Sequence, residues 1–129
     1  MKDTPASVSR RACVLIVEDD EDLREAFQIA LSFEGFETRE ARSGFEALRL
    51  LDTSPPDLVL LDLGLPGIDG FAVLEELSAN AFTRHIPVVV VTASAKDLSH
   101  VNAACILRKP VSPAEVVATV HRCLAMGAP

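Results

Sequence analysis

The chain has 129 residues, the length of one domain with one core, which can form without disulfides or a structural metal. Twelve Lys and Arg against nineteen Asp and Glu leave a formal charge of −7, and six Phe are the only aromatics. The basic face and stacking rings of a direct nucleic-acid binder are therefore missing. No apolar run approaches a membrane span and Met1-Lys2-Asp3-Thr4-Pro5 has no apolar signal region, so a cytoplasmic protein without membrane contact is expected.

Residues 1–11 are polar and read as a disordered lead-in, 12–126 as the domain and 127–129 as a tail, with no output domain expected after Met126. Ala12 to Val17 is a continuous apolar run with β-branched residues, which suits a parallel strand buried on both faces. It runs into acid, Glu18-Asp19-Asp20-Glu21-Asp22. Leu23, Phe27, Ala30 and Leu31 then recur at helical spacing, with Gly35 placed to end the helix. Carboxylates at a helix N-terminus gain about 0.3–1 kcal/mol each from the macrodipole. That accounts for Asp20, as the cap, through Asp22, and less well for Glu18 and Asp19 at the strand's edge.

Phe36 to Ala41 alternates weakly and predicts a more exposed strand. Ser43 caps a helix through Phe45, Ala47, Leu48 and Leu51, which Ser54-Pro55-Pro56 ends. Leu58 to Leu61 is a buried strand that delivers Asp62 onto a turn rich in Gly and Pro, and a third helix follows from about Phe71 to Asn80. Ile86 to Ala93 is the most apolar strand and belongs at the centre of the sheet, with Thr92 as its polar tip. Ser94 to Asn102 offers at most a short helix. Ala104 to Arg108 makes a fifth strand ending at Lys109-Pro110, and Ser112-Pro113-Ala114-Glu115 fits a capping box opening a helix through Val116, Val117, Val120 and Leu124.

Five strands alternating with five helical segments, the fourth short or absent, predict an α/β doubly wound parallel sheet with helices on both faces. In the flavodoxin-like order 2-1-3-4-5, strands one and three are neighbours, and their C-terminal ends bring Glu18, Asp19 and Asp62 together. Such carboxylates repel: a pair near 4 Å costs about 4 kcal/mol at an effective dielectric of about 20. A hard divalent cation offsets this, and Mg²⁺ is characteristically held by one or two carboxylates with water and phosphate oxygens. Lys109 adds an ammonium and Thr92 a hydroxyl. A carboxylate beside Mg²⁺, an ammonium and a hydroxyl is what attack on a phosphoryl group needs, with Asp62 as the nucleophile.

Other chemistry-bearing residues have blander readings. Cys13, Cys105 and Cys123 form no C-x-x-C pair and are expected to be buried reduced thiols. His85, His100 and His121 share no spacing and are expected at surfaces or interfaces. The acids from Glu18 to Asp22 lack the Gly and distal Glu of a calcium-binding EF-hand loop.

Glu18-Asp19 after the first strand, Asp62 with Leu63-Gly64-Leu65-Pro66-Gly67-Ile68-Asp69-Gly70, Thr92-Ala93-Ser94 after the fourth and Lys109-Pro110 after the fifth occur in one order. With these pieces the chain resembles a response-regulator receiver domain of two-component systems over residues 12–126. The resemblance implies that Asp62 accepts a phosphoryl group from the phosphohistidine of a sensor histidine kinase or phosphotransfer protein. It also implies that Asp19, Asp62 and the Gly64 carbonyl ligate Mg²⁺, with Glu18 acting mostly through water, while Thr92 and Lys109 hold the phosphate. The Lys109-Pro110 bond is then expected cis. Output is expected through contact with a downstream protein target, and catalysis is limited to the chain's own phosphorylation and dephosphorylation.

Two positions depart from the family's habit. Only 17 positions separate Thr92 from Lys109, and Ile106 stands where the family usually has Tyr or Phe. Phosphorylation is accordingly expected to alter the surface near the Asp62 turn and the Thr92 loop more than near Ile106. The alternatives are a receiver-like adaptor that binds partners independently of phosphorylation, and a phosphatase with an Asp nucleophile. The phosphatase needs a second acid where Gly64 stands.

Overall fold

The computed structural model describes residues 11–65 and 67–127, so most of the expected lead-in and tail lies outside the described residues. Strands β1 (Cys13–Val17), β2 (Glu37–Ala41), β3 (Leu58–Asp62), β4 (Val88–Thr92) and β5 (Cys105–Arg108) alternate with helices α1 (Glu21–Phe33), α2 (Gly44–Thr53), α3 (Gly70–Ala79) and α4 (Pro113–Gly127). The strands form one sheet in the order β2-β1-β3-β4-β5, and every pairing is parallel.

The apolar runs go where their lack of a polar face sends them. β1, β3 and β4 are buried along their whole length, and β2 and β5 are the partly exposed edges. Successive side chains alternate between two core layers. Leu15, Val17, Val59, Leu61 and Val90 pack under α2 and α3, while Val14, Ile16, Leu58, Leu60 and Val91 pack under α1 and α4.

The helix ends obey local chemistry. Asp20 caps α1 by accepting from Leu23 N at 3.0 Å. The same helix closes with Gly35 at φ 95°, where Gly35 N reaches Ser32 O and Phe36 N reaches Leu31 O, a Schellman ending. Ser112 and Glu115 form the expected reciprocal box, Glu115 N to Ser112 Oγ at 3.1 Å and Ser112 N to Glu115 Oε1 at 3.0 Å.

The fourth helical segment, expected to be short or absent, is absent: residues 93–104 contain no helix, and four helices remain among the described residues. Short polar side chains compete with the helical ladder there: Ser94 Oγ takes the Lys96 N–H at 3.1 Å and Asp97 Oδ1 takes the Ser99 N–H at 2.9 Å. Leu98, only 2% exposed, seals the core layer under α2 and α3 in place of a helix.

Candidate functional site

Register brings the site together. Val17 pairs with Leu61, Asp62 with Val91 and Thr92 with Arg108, so the C-terminal ends of β1, β3, β4 and β5 open onto one crevice. Glu18 and Asp62 are buried there and Asp19 is exposed, with one carboxylate oxygen from each lying within 4.8 Å of the others. Lys109 enters from the end of β5, its Nζ 3.1 Å from Glu18 Oε1 and 3.6 Å from Asp62 Oδ2, on the near side of a cis Lys109-Pro110 bond.

Several polar atoms of the crevice are aimed by their neighbours. Asp62 Oδ1 accepts the Gly64 N–H at 3.0 Å, and Oδ2 is the oxygen that faces Lys109. Glu18 Oε2 accepts the Asp20 N–H at 3.2 Å. Thr92 Oγ1 accepts the Ser94 N–H at 3.1 Å, which leaves the hydroxyl proton available to donate. Lys109 N donates to Thr92 O at 2.8 Å, extending the ladder between β4 and β5 by one bond.

The charges are not balanced. Burial pushes the Glu18 carboxyl up to about 7, and the Asp62 charge adds to this against the pull of the Asp20 N–H and Lys109. For Lys109, burial alone would lower the ammonium's pKa, but Glu18 and Asp62 outweigh it and hold the pKa above its ordinary value. Lys109 meets Glu18 Oε1 as an ion pair without hydrogen-bond geometry, so among the described residues this buried oxygen has no hydrogen-bond donor. Three hard oxygen donors, with Glu18 Oε1 met only by the Lys109 ammonium, can hold a divalent cation. Beside them is a cleft of about 360 Å³ lined by Asp62, Gly64, Phe71, Thr92, Lys96 and Lys109, with room for a phosphoryl group.

Glu18, Asp19, Asp62, Gly64, Thr92 and Lys109, each picked out in the sequence, thus meet at one place. The contacts of three neighbours were not read from the sequence. Arg108 on β5 donates to the carbonyls of Ser94 and Lys96 and so holds the segment that replaces a helix. Gly70 packs against the backbone of Asp62 and Leu63. Arg24 reaches back from α1 to the Glu18 carbonyl; its signal was a charge falling on the inward stripe of Phe27 and Leu31. His121 lies elsewhere, against Phe36 and Glu34.

The family profile described as the response regulator receiver domain matches residues 14–121. The chain is 44% identical over 82 residues to the polar-differentiation response regulator DivK of Brucella ovis, a match covering 64% of this chain and 67% of that one. It is 38% identical over 85 residues to the transcriptional regulatory protein AfsQ1 of Streptomyces coelicolor, covering 66% of this chain and 36% of the relative. Among solved structures, the signal receiver domain of a signal transduction histidine kinase from Syntrophus aciditrophicus superposes with a TM-score of 0.83 at 30% identity. That match covers 89% of this chain and 91% of the other. CheY4 of Vibrio cholerae, at 24% identity, shares the fold with a TM-score of 0.82 over 88% of this chain and 99% of its own.

Proposed function

Because the chain belongs to the response regulator receiver domain family, we propose that it is a phosphoacceptor switch or relay in which Asp62 takes a phosphoryl group in a Mg²⁺-dependent reaction. The donor is the phosphohistidine of a sensor histidine kinase or phosphotransfer protein, and the output is contact with a downstream protein. The observation that carries this reading is the meeting of Asp62, Glu18 and Lys109 at the sheet's C-terminal edge, with Nζ 3.6 Å from Asp62 Oδ2 and 3.1 Å from Glu18 Oε1.

The donor set suits Mg²⁺: Asp19, Asp62 and the Gly64 carbonyl would hold it, with Glu18 behind them. The ion supplies neutralisation of the carboxylates and of the equatorial phosphoryl oxygens. The chain's own residues do the rest. Asp62 attacks phosphorus, an O–P bond forms as the P–N bond breaks, and the imidazole nitrogen leaves with the electron pair. Lys109 turns from the carboxylates toward the new phosphoryl oxygens, and Thr92 donates its free hydroxyl proton to one of them. The chain thereby promotes its own phosphorylation without turning over a separate substrate.

Incubation with acetyl phosphate and Mg²⁺ is expected to add one phosphoryl group by intact mass, and Asp62→Ala to abolish the gain. No gain in the parent protein, with Mg²⁺ binding also absent, would leave the phosphorylation-independent adaptor. Phosphorylation is further expected to shift the backbone amides of 92–96 and of the Asp62 turn more than that of Ile106. Arg108 ties Ser94 and Lys96 to the end of β5, whereas Ile106 packs, half-buried, against the core layer under α2 and α3. Large shifts at Ile106 with none around Thr92 would contradict this.

A further inference from the structure

Arg24 is a buried cation with a particular pair of partners. It is 6% exposed on the inward stripe of α1, where an unpaired guanidinium would cost several kcal/mol. It donates Nη1 to the Glu18 carbonyl at 3.0 Å and Nε to Glu40 Oε1 at 3.3 Å, and Glu40 is itself 41% exposed. A pair with one half-exposed member adds little stability. The bond to the carbonyl is the distinctive one.

That carbonyl belongs to the residue that opens the acid cluster. Glu18 N donates to Ala41 O of β2 at 3.1 Å, and with Arg24 on the other side both backbone groups of Glu18 are held. On the far side of Asp19, Asp20 is fixed as the cap of α1 by Leu23 N, and its own N–H is taken by Glu18 Oε2. Asp19 is thus suspended between two pinned residues. Its exposed carboxylate joins the cluster from a backbone whose preceding carbonyl is held by Arg24.

We propose that Arg24 is a positioning residue for the cation site: by clamping the Glu18 carbonyl it sets the direction in which Asp19 projects, with Glu40 orienting the guanidinium from β2. The proposal rests on the metal-dependent reading above. It extends that reading from the donor residues to the side chain that aims them, as outer-shell partners do in metal sites generally.

The test is Mg²⁺ titration of the full chain by NMR and calorimetry, alongside urea unfolding without Mg²⁺. Arg24→Met keeps the apolar stem and removes the donors; Mg²⁺ affinity is expected to fall by about tenfold. Arg24→Lys, which restores one donor without the fork, is expected to recover part of this, and Glu40→Gln to lose a smaller part with the fold intact. Equal Mg²⁺ affinity in the parent, Arg24→Met and Glu40→Gln overturns the proposal, whatever the variants do to unfolding. If Arg24→Met does not fold, Arg24→Lys and Glu40→Gln decide, and parent-like affinity in both overturns it. A parent chain that binds no Mg²⁺ removes the functional reading itself, and this proposal with it, which distinguishes the two failures.

Discussion

Gly70→Ala is expected to destabilise the protein by about 3 kcal/mol, at the upper end for one added methyl group in a packed site. A Cβ built at Gly70 lies 2.4 Å from Asp62 O and 2.4 Å from Leu63 Cα. Both are backbone atoms at the end of β3, so no flexible side-chain tip can swing away. Gly70 N also donates to Leu63 O at 3.1 Å, which is the contact that brings the start of α3 so close. Relief of the clash must push α3 away from β3 or move the peptide that carries Asp62, the proposed phosphoacceptor. Phosphoryl uptake should fall together with stability. Gly64→Ala is the control, since its added carbon meets only Asp62 Oδ1 at 3.8 Å, an ordinary contact. Urea unfolding of the two variants decides the matter: equal midpoints would show that the end of β3 yields freely and the close approach has no energetic weight.

Without Mg²⁺, stability is expected to decline as pH rises from about 4.5 through 7, and Glu18→Gln to remove much of that decline. The folded chain holds the Glu18 carboxyl at about 7 against an ordinary 4.5, with burial as the main cause. The folded state therefore binds this proton more tightly than the unfolded state. Its contribution is complete below about 4.5 and is lost as pH rises through 7. The gap corresponds to about 3 kcal/mol. At pH 8 the Gln variant should be the more stable of the two metal-free proteins, and near pH 4 they should be equal. Saturating Mg²⁺ should reverse the order at pH 8, because the ion selects the ionised carboxylate cluster and stabilises the protein that has it. Parallel pH profiles for the two proteins would show that Glu18 ionises in the fold at no cost.

The apolar runs Cys13–Val17, Leu58–Leu61 and Val88–Val91 had no polar face to turn to water, so their burial in the middle of a parallel sheet was decided by local composition. The caps Asp20 and Ser112 were equally legible, because a helix N-terminus is satisfied by residues within three or four positions. Glu18, Asp19, Asp62, Thr92 and Lys109 could be picked out because a carboxylate, hydroxyl or ammonium at the end of an apolar strand has no packing role there, whereas Gly64 entered only through the family resemblance. The absence of a fourth helix was half legible, in the short spacing from Thr92 to Lys109. What holds that segment in its place was not, because the Arg108 side chain and the carbonyls of Ser94 and Lys96 are brought together only by pairing of β4 with β5.

The sequence by itself therefore determined the order of elements, the buried strands and the identity of the acids, the hydroxyl and the lysine at the strand ends. Each of these depends on the period of hydrophobicity or on hydrogen bonds spanning a few residues. Only the tertiary structure decided that Arg24 grips Glu18 from the second turn of α1. It alone decided that Gly70 must lack a side chain, and that burial rather than partnership sets the proton affinity of Glu18. Arg24 lies only six positions from Glu18 and Gly70 eight from Asp62, but how closely they approach is set by the way α1 and α3 pack against the strand ends, which exists only after the sheet has registered and the helices have closed over it.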